Sequence, residues 1–267
     1  MEKDFGILFR KLFQNVKCFG KNFARYIPNM SHCIDPTRIV YATSTVQDGN
    51  MSYRFGSENE VTQNRSTFLL KHGLNGFGVT EMKTEHSDAV VVLRELPYSK
   101  GLHVVAGEAL LTDIPGHTLL LLTADCLPVV CVDVQHGALA LAHLGRKPSE
   151  MHLAKKVVEA MAKEYGTNPY ELCVVVGPSI KKESYFFDSI NEIHEKVPSL
   201  YGVTAHGHVC IDLEGFNRQE FKDSEIKAEN MYFSPIDTAM SKDYFSHRRA
   251  VQTGETEGRF LTLVGIR

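Results

Sequence analysis

Two residues near the middle of the chain offer the clearest chemistry: the thiol of Cys126 and the imidazole of His143. They lie in the segment LLLLTADCLPVVCVDVQHGALALAHLGRK. Two strand-like apolar runs there flank a polar, glycine-containing stretch around Val134 to Gly137, which is a hairpin signal. Pairing Cys126 with His143 would centre the turn between Val134 and Gln135. The two side chains would then meet at the open end of the hairpin, within a residue or two of register, and opposed side chains there stand ~5 Å apart at Cβ. A thiolate and an imidazole at that distance suit zinc or copper. Two ligands do not make a site, and TEHSDAVVVL offers His86 as a third, just before a strand run. Three protein ligands leave a fourth position open, as in catalytic rather than structural zinc. Each residue alone has a plainer reading. A buried free cysteine is usually packing, and a histidine at a strand end is usually just hydrogen-bonded.

Neighbouring positions extend the question. Asp125 adjoins Cys126 and is a candidate general base or supporting partner. Successive strand residues point to opposite faces, so Asp125 joins the site only if the chain turns there. Leu127, before Pro128, is biased toward extended backbone, which opposes such a turn. Cys131 sits at an odd offset from Cys126 and is expected to face the other side of the sheet. The segment Ser246 to Arg259, SHRRAVQTGETEGR, reads equally as an anion-binding loop or as a solvated charged loop.

Positioning these groups needs a framework of strands. Apolar runs of strand length occur at Arg38 to Thr43, Ala89 to Leu93, Ala109 to Thr112, Thr118 to Thr123, Pro128 to Val134, Ala138 to His143, Leu172 to Val176 and Phe260 to Ile266. Several are continuous rather than alternating, as in strands covered on both faces. The runs from Thr118 to His143 are expected in one mixed sheet. A helix is expected from Ser149 to Tyr165. Met151, Ala154, Val158, Met161 and Tyr165 form its apolar stripe, widened by Leu153 and Val157. Ser149 is its expected N-cap and Gly166 its stop. Further helices are expected near Ser189 to Lys196 and Glu214 to Asn230, while the polar stretch Thr45 to Ser66 reads as loop. Adjacent strand runs with separated helices indicate an α+β fold, a single domain with mixed sheets and helices packed outside.

The composition is that of a globular chain. Of 267 residues, 43% are hydrophobic and 23% charged, which excludes disorder as the main state. A net charge of -3 carries no basic excess of the kind that phosphate backbones attract, so nucleic acid is not an expected partner. Six cysteines contain no C-x-x-C pair, so a zinc ribbon has no support. No apolar run reaches the ~18 residues needed to span a bilayer, and a cytoplasmic monomer is expected. Residues 1–30 stand apart as an amphipathic arm. Phe5, Leu8, Phe9, Leu12, Phe13, Val16, Phe19 and Phe23 fall at near-helical spacing, interleaved with Lys11, Lys17, Lys21 and Arg25. Such a helix can lie on a membrane or act as a targeting peptide, but docking on its own domain, residues 31–267, is favoured.

The block LTADCLPVV followed by ALAHLGRK resembles the signature of the multicopper polyphenol oxidoreductase family, the laccase-domain or YfiH-type proteins. TEHSDAVVVL, GEALLT, VVVGPSI, YFSHRR and EGRFLTLVGI match the same family in order, so the resemblance runs from about Arg38 to Arg267. It implies a four-layer αββα sandwich with mixed sheets. It implies a zinc site, for which copper has also been claimed, and places its ligands at His86, Cys126 and His143. It further implies purine nucleoside phosphorylase activity with adenosine deaminase activity, whose partners are purine nucleosides and phosphate; polyphenol oxidase is the older family label. The chain departs from the pattern at several positions. Ala42, Thr43 and Ser44 replace an early Thr-Thr-Arg motif, so its arginine is missing. Thr84 and Glu85 replace Gln-Val, and Glu108 sits where aspartate is common. Arg146, Lys147 and Pro148 replace Trp-Arg-Gly. Lys147, Arg248 and Arg249 are the candidate cations to take the phosphate-binding role.

Three functions are therefore in competition. The first is a zinc-dependent enzyme that phosphorolyses adenosine, inosine, guanosine or methylthioadenosine and deaminates adenosine. The second is a metal-free hydrolase or deamidase with Cys126 as nucleophile and His143 as base. The third is a degenerate, non-catalytic binding protein, suggested by the departures at Ser44 and Arg146.

Overall fold

The computed structural model describes residues 35, 37–74, 78–96, 102–187, 200–203 and 208–267. The arm at 1–30 and the helix expected at Ser189 to Lys196 lie outside the described residues. In chain order the strands are β1 (Ile39–Thr43), β2 (Val79–Lys83), β3 (Val90–Val92), β4 (His103–Ala106), β5 (Ala109–Thr112), β6 (Thr118–Thr123) and β7 (Leu127–Asp133). They continue with β8 (Ala138–Leu144), β9 (Cys173–Val176), β10 (Phe186–Phe187), β11 (Tyr201–Val203), β12 (Val209–Ile211), β13 (Met231–Phe233) and β14 (Phe260–Ile266). The described helices are α1 (Glu58–Lys71), α2 (Arg146–Glu150), α3 (Leu153–Tyr165), α4 (Leu213–Asp223) and α5 (His247–Thr253).

Two mixed sheets pack face to face. One has the order β1-β14-β6-β2-β4, the other β13-β9-β7-β8-β5-β3, and β10, β12 and β11 form a small third sheet. Side-chain alternation sorts the core into three seams. Leu119, Leu121, Met82 and Val264 of the first sheet meet Leu110, Val130, Val132, Leu139 and Leu141 of the second. The outer face of the first sheet, through Val79, Leu120, Leu261 and Leu263, packs on Phe68 of α1 and on Met51. The outer face of the second, through Val129, Cys131, Ala140 and Ala142, packs on α3 and α4. The layers are thus α-β-β-α in a single domain, as expected. β7 and β8 are buried along their whole length because both faces are covered, which is why their sequences are nearly continuous apolar runs, broken only by Asp133 and His143. No described helix is long and apolar enough to cross a membrane.

The structure corrects four expectations. β6 does not share a sheet with β7 and β8; the chain leaves the first sheet after Thr123 and enters the second at Leu127. The turn expected to be disfavoured is made by Asp125, whose φ of 89° is left-handed. The helix after Gly145 is two helices, α2 and α3, broken at His152 with φ 59°. Ser149 is consequently buried inside α2, receiving a hydrogen bond from Asn217 at 2.8 Å, instead of capping. Leu153, Ala154, Val157, Val158 and Met161 of the stripe are buried, Met151 and Tyr165 are only half-buried and Met151 lies before α3, and Gly166 ends α3 at φ 72°. Finally, α1 occupies the end of the stretch read as loop. Its apolar face is thin because Arg65 takes a core position, where its guanidinium bonds Glu81 at 2.6 Å and the Met51 carbonyl at 2.7 Å. Ser57, accepting from the Glu60 N–H, caps it.

Candidate active site

The β7–β8 hairpin pairs Pro128 with His143 and Leu127 with Leu144. The register is therefore shifted by one pair from a direct Cys126–His143 match, and Cys126 lies opposite Gly145, just beyond β7. His143 is its diagonal neighbour on the same face. Gly145 is essential to this closeness. A Cβ there would stand 2.9 Å from the Cys126 sulfur and 3.5 Å from His143 Cε1. The thiol and the imidazole thus converge over a residue that has no side chain. Cys131 points into the helix-facing seam, is fully buried, and has its thiol pushed up to about 12 by burial. Cys126 keeps solvent access.

His143 is 4% exposed, so its state is set by protein groups. Burial alone would lower its pKa, but the charge and hydrogen-bonding capacity of the Cys126 sulfur and the Glu108 carboxylate outweigh burial and raise it to about 10. Glu108, fully buried just before β5, places Oε2 2.7 Å from His143 Nδ1. Its backbone carbonyl accepts from the His143 N–H at 2.8 Å. Burial opposes ionisation of Glu108, yet His143 and two backbone N–H groups hold its carboxyl below the usual range. Those two groups belong to Glu85 and Ser87, at 2.6 and 3.2 Å from Oε1. They flank His86, which is left-handed at φ 56°. Asp88, one residue further, is paired with Lys156 of α3. The loop so held puts the exposed His86 ring edge-on to His143, with centroids 5.4 Å apart. Partial burial, then the charge of His143, lowers the pKa of His86.

The other sequence candidates separate into two groups. Arg248 of α5 lies at the site's aromatic wall, its guanidinium 5.2 Å from the Tyr185 ring centroid and 4.7 Å from that of Phe187. Tyr185 also feels the charges of Cys126 and Arg146, and burial pushes its hydroxyl up to about 12. Lys147 of α2 is exposed and near enough to His86 to act on it electrostatically. Arg249 and Asp125, in contrast, are occupied in holding the fold. Arg249 donates to the carbonyls of Thr238 at 2.6 Å, Ser241 at 2.8 Å and Tyr244 at 2.8 Å, and to Glu255 at 2.6 Å. Asp125 accepts from the Thr238 hydroxyl and from the Arg248 N–H, each at 2.7 Å, so both carboxylate oxygens are engaged. Ser44, at the position of the missing arginine, is fully buried with its hydroxyl accepting from the Leu261 N–H. Residues 246–253, left open between loop readings, form the helix α5 capped by Ser246.

Sequence reasoning had no role for Glu108, Gly145 or Tyr185. Glu108 carried a signal, an acid opening the mostly apolar, fully buried strand ALLT, since a buried carboxylate must have partners. Among the described residues, no three His, Cys, Asp or Glu side chains are already gathered so as to hold a metal ion. The donor chemistry at Cys126 and His143 nevertheless fits zinc. A carboxylate on Nδ1 leaves Nε2 as the ring's ligand atom, the arrangement that metal-binding histidines commonly show.

The chain is similar to known proteins over most of its length. A purine nucleoside phosphorylase of Corynebacterium glutamicum is 28% identical over 234 residues, covering 84% of this chain and 93% of the relative. One from Bacteroides thetaiotaomicron is 30% identical over 258 residues, covering 89% and 92%. The crystal structure of the Bacillus licheniformis hypothetical protein YfiH has the same fold, with a TM-score of 0.74 at 21% identity over 91% of this chain and 96% of that one. YlmD from Geobacillus stearothermophilus also has a TM-score of 0.74, at 23% identity over 86% and 92%. The multi-copper polyphenol oxidoreductase laccase family profile matches residues 37–267, and the chain belongs to that family.

Proposed function

We propose that this protein is a zinc-dependent enzyme of purine nucleosides, cleaving them with phosphate and deaminating adenosine. The observation that carries the reading is the meeting of Cys126, His143 and the His86 loop at the crossover between the two sheets, in a chain whose relatives bear the name purine nucleoside phosphorylase. Cys126 and His143 would hold the ion, with copper as the alternative, and His86 would join by reorienting its exposed ring. Bound zinc supplies Lewis acidity and a water whose pKa falls to about 7.

The surrounding residues suit the rest of the reaction. Arg248 and Lys147 lie at the rim of the site and would hold phosphate in place of the missing arginine, acting as a charge clamp. A phosphate oxygen then bonds to the ribose anomeric carbon while the bond from that carbon to purine nitrogen breaks. The purine leaves with the bonding pair and takes the proton that phosphate gives up. The aromatic wall of Tyr185 and Phe187 would exclude water and face the base. For deamination, water's oxygen bonds purine C6, one of its protons passes to ring N1 and the other to the amino nitrogen, and the C6–N bond breaks to release ammonia.

The test is turnover by the zinc-loaded protein supplied with adenosine and phosphate, following adenine, ribose 1-phosphate and inosine. Product formation supports the reading, and none of the three products with zinc fully bound overturns it. One observation favours a second reading, the metal-free Cys-His hydrolase. The Cys126 sulfur and the His143 ring converge over Gly145, as a nucleophile and its base would. Rapid alkylation of Cys126 in protein that retains activity without metal would select it.

A further inference from the structure

We infer that Glu108 is the positioning residue that fixes both histidines of the site with one side chain, and that its work requires a carboxylate. The inference concerns the same Cys126–His143–His86 centre but stands whether that centre holds zinc or works as a thiol–imidazole pair.

Three nitrogens converge on this one group: Glu85 N–H and Ser87 N–H donate to Oε1, and His143 Nδ1 lies 2.7 Å from Oε2, where an accepting carboxylate makes it the third donor. Only a group that accepts at both ends satisfies all three. A neutral amide cannot. With its oxygen toward the Glu85 and Ser87 amides, its NH2 would face His143 Nδ1 and demand a lone pair there. The remaining ring proton would then sit on Nε2, the atom needed toward Cys126 or a metal. With the amide flipped, its NH2 would oppose two backbone donors and release the loop that carries His86. The loop needs that restraint because His86 is left-handed, a backbone state disfavoured for residues other than glycine. Glu108 is completely buried, so no water substitutes for a lost partner. Its own carbonyl fixes the His143 backbone as well, so side chain and main chain hold the same histidine.

The experiment starts with the unaltered protein, free of metal. Long-range 1H–15N spectra should show a hydrogen-bonded proton on His143 Nδ1, and the Glu85 and Ser87 amides should be protected from exchange. Absence of that Nδ1 proton overturns the inference without any variant. In E108Q, either the Nδ1 proton or the amide protection should be lost, and zinc affinity measured against a competing chelator should fall about 10- to 100-fold, as for other partners of ligating histidines. E108D keeps a carboxylate and should restore the Nδ1 proton and most of the affinity. An E108Q protein that retains the Nδ1 proton, both protected amides and full zinc affinity overturns the inference. If zinc binds neither protein, the spectra and exchange still decide it, while the zinc reading alone fails.

Discussion

The Cys126 sulfur occupies the space that a side chain at Gly145 would fill, 2.9 Å from the missing Cβ. Gly145 itself has φ -91° and ψ -175°, which any residue adopts. The requirement for glycine is therefore steric and not conformational. In G145A the thiol must rotate away, and its contact with His143 goes with it. The variant should fold, losing about 1–3 kcal/mol to overpacking. Its nucleoside turnover should fall at least about 10-fold, because misplacing one group of a catalytic set is costly. Urea unfolding and turnover measured together check this; unchanged activity would show that the thiol position is unimportant.

Cys131 and Cys126 should behave oppositely toward iodoacetamide and toward substitution. Cys131 is fully buried on the helix-facing seam with its thiol raised to about 12, so it should resist alkylation in the native protein. C131A should cost about 1–2 kcal/mol as a small core cavity and leave zinc content and turnover unchanged. C126A should abolish both with little loss of stability. Peptide mapping after alkylation, with metal analysis of each variant, distinguishes the two sulfurs.

How far this was legible in the sequence is clearest at the hairpin. β7 and β8 announced themselves as nearly continuous apolar runs, and the Cys126–His143 neighbourhood followed from them to within one pair of register. Which sheet β6 joins was not legible, because Leu119 to Leu122 would suit either sheet and the decision lies in the left-handed Asp125. α1 was hidden by Arg65, a charged residue at a core position whose partner Glu81 lies on β2, itself only half apolar and also missed. The paired roles of Arg248 and Arg249 could not be separated by spacing. Only the fold shows that one faces the aromatic wall while the other is spent on loop carbonyls.

That separation predicts different phenotypes for adjacent arginines. R249K cannot reproduce the fan of bonds to Thr238, Ser241, Tyr244 and Glu255. It should lose about 2–3 kcal/mol of stability, since buried acceptors go unpaired and lysine lacks the planar fork. R248A should lose little stability but raise KM for phosphate about 10-fold or more. A normal phosphate KM in R248A would remove it from the site.

Stability should fall in mild acid through His117. Its ring is fully buried, with Nε2 2.8 Å from the Thr80 hydroxyl and Nδ1 3.2 Å from that of Thr112. Burial, then the nearby His103, lowers its pKa to about 4, and burial does the same for His72. Below the unfolded value of about 6.5 the unfolded chain takes up the proton and the folded one does not. The contribution is thus complete above about pH 6.5 and is lost as pH falls toward 4. His143 is raised, so its contribution is complete below about pH 6.5 and is lost only as pH rises toward 10, outside that window. Urea midpoints should decline from pH 6.5 to 4, less steeply in H117Q; identical slopes would exclude His117 as a cause.

The central claim is that Cys126, with His143 and His86, forms a zinc centre that acts on purine nucleosides. Zinc content and ribose 1-phosphate formation from adenosine and phosphate, measured side by side for the unaltered protein and C126A, test it most directly. The expected result is about one zinc per chain and steady product formation in the unaltered protein, with both lost in C126A, because a three-ligand site deprived of its only thiolate no longer holds the ion. A C126A protein that keeps full activity, or an unaltered protein that binds zinc and forms no product, would contradict it.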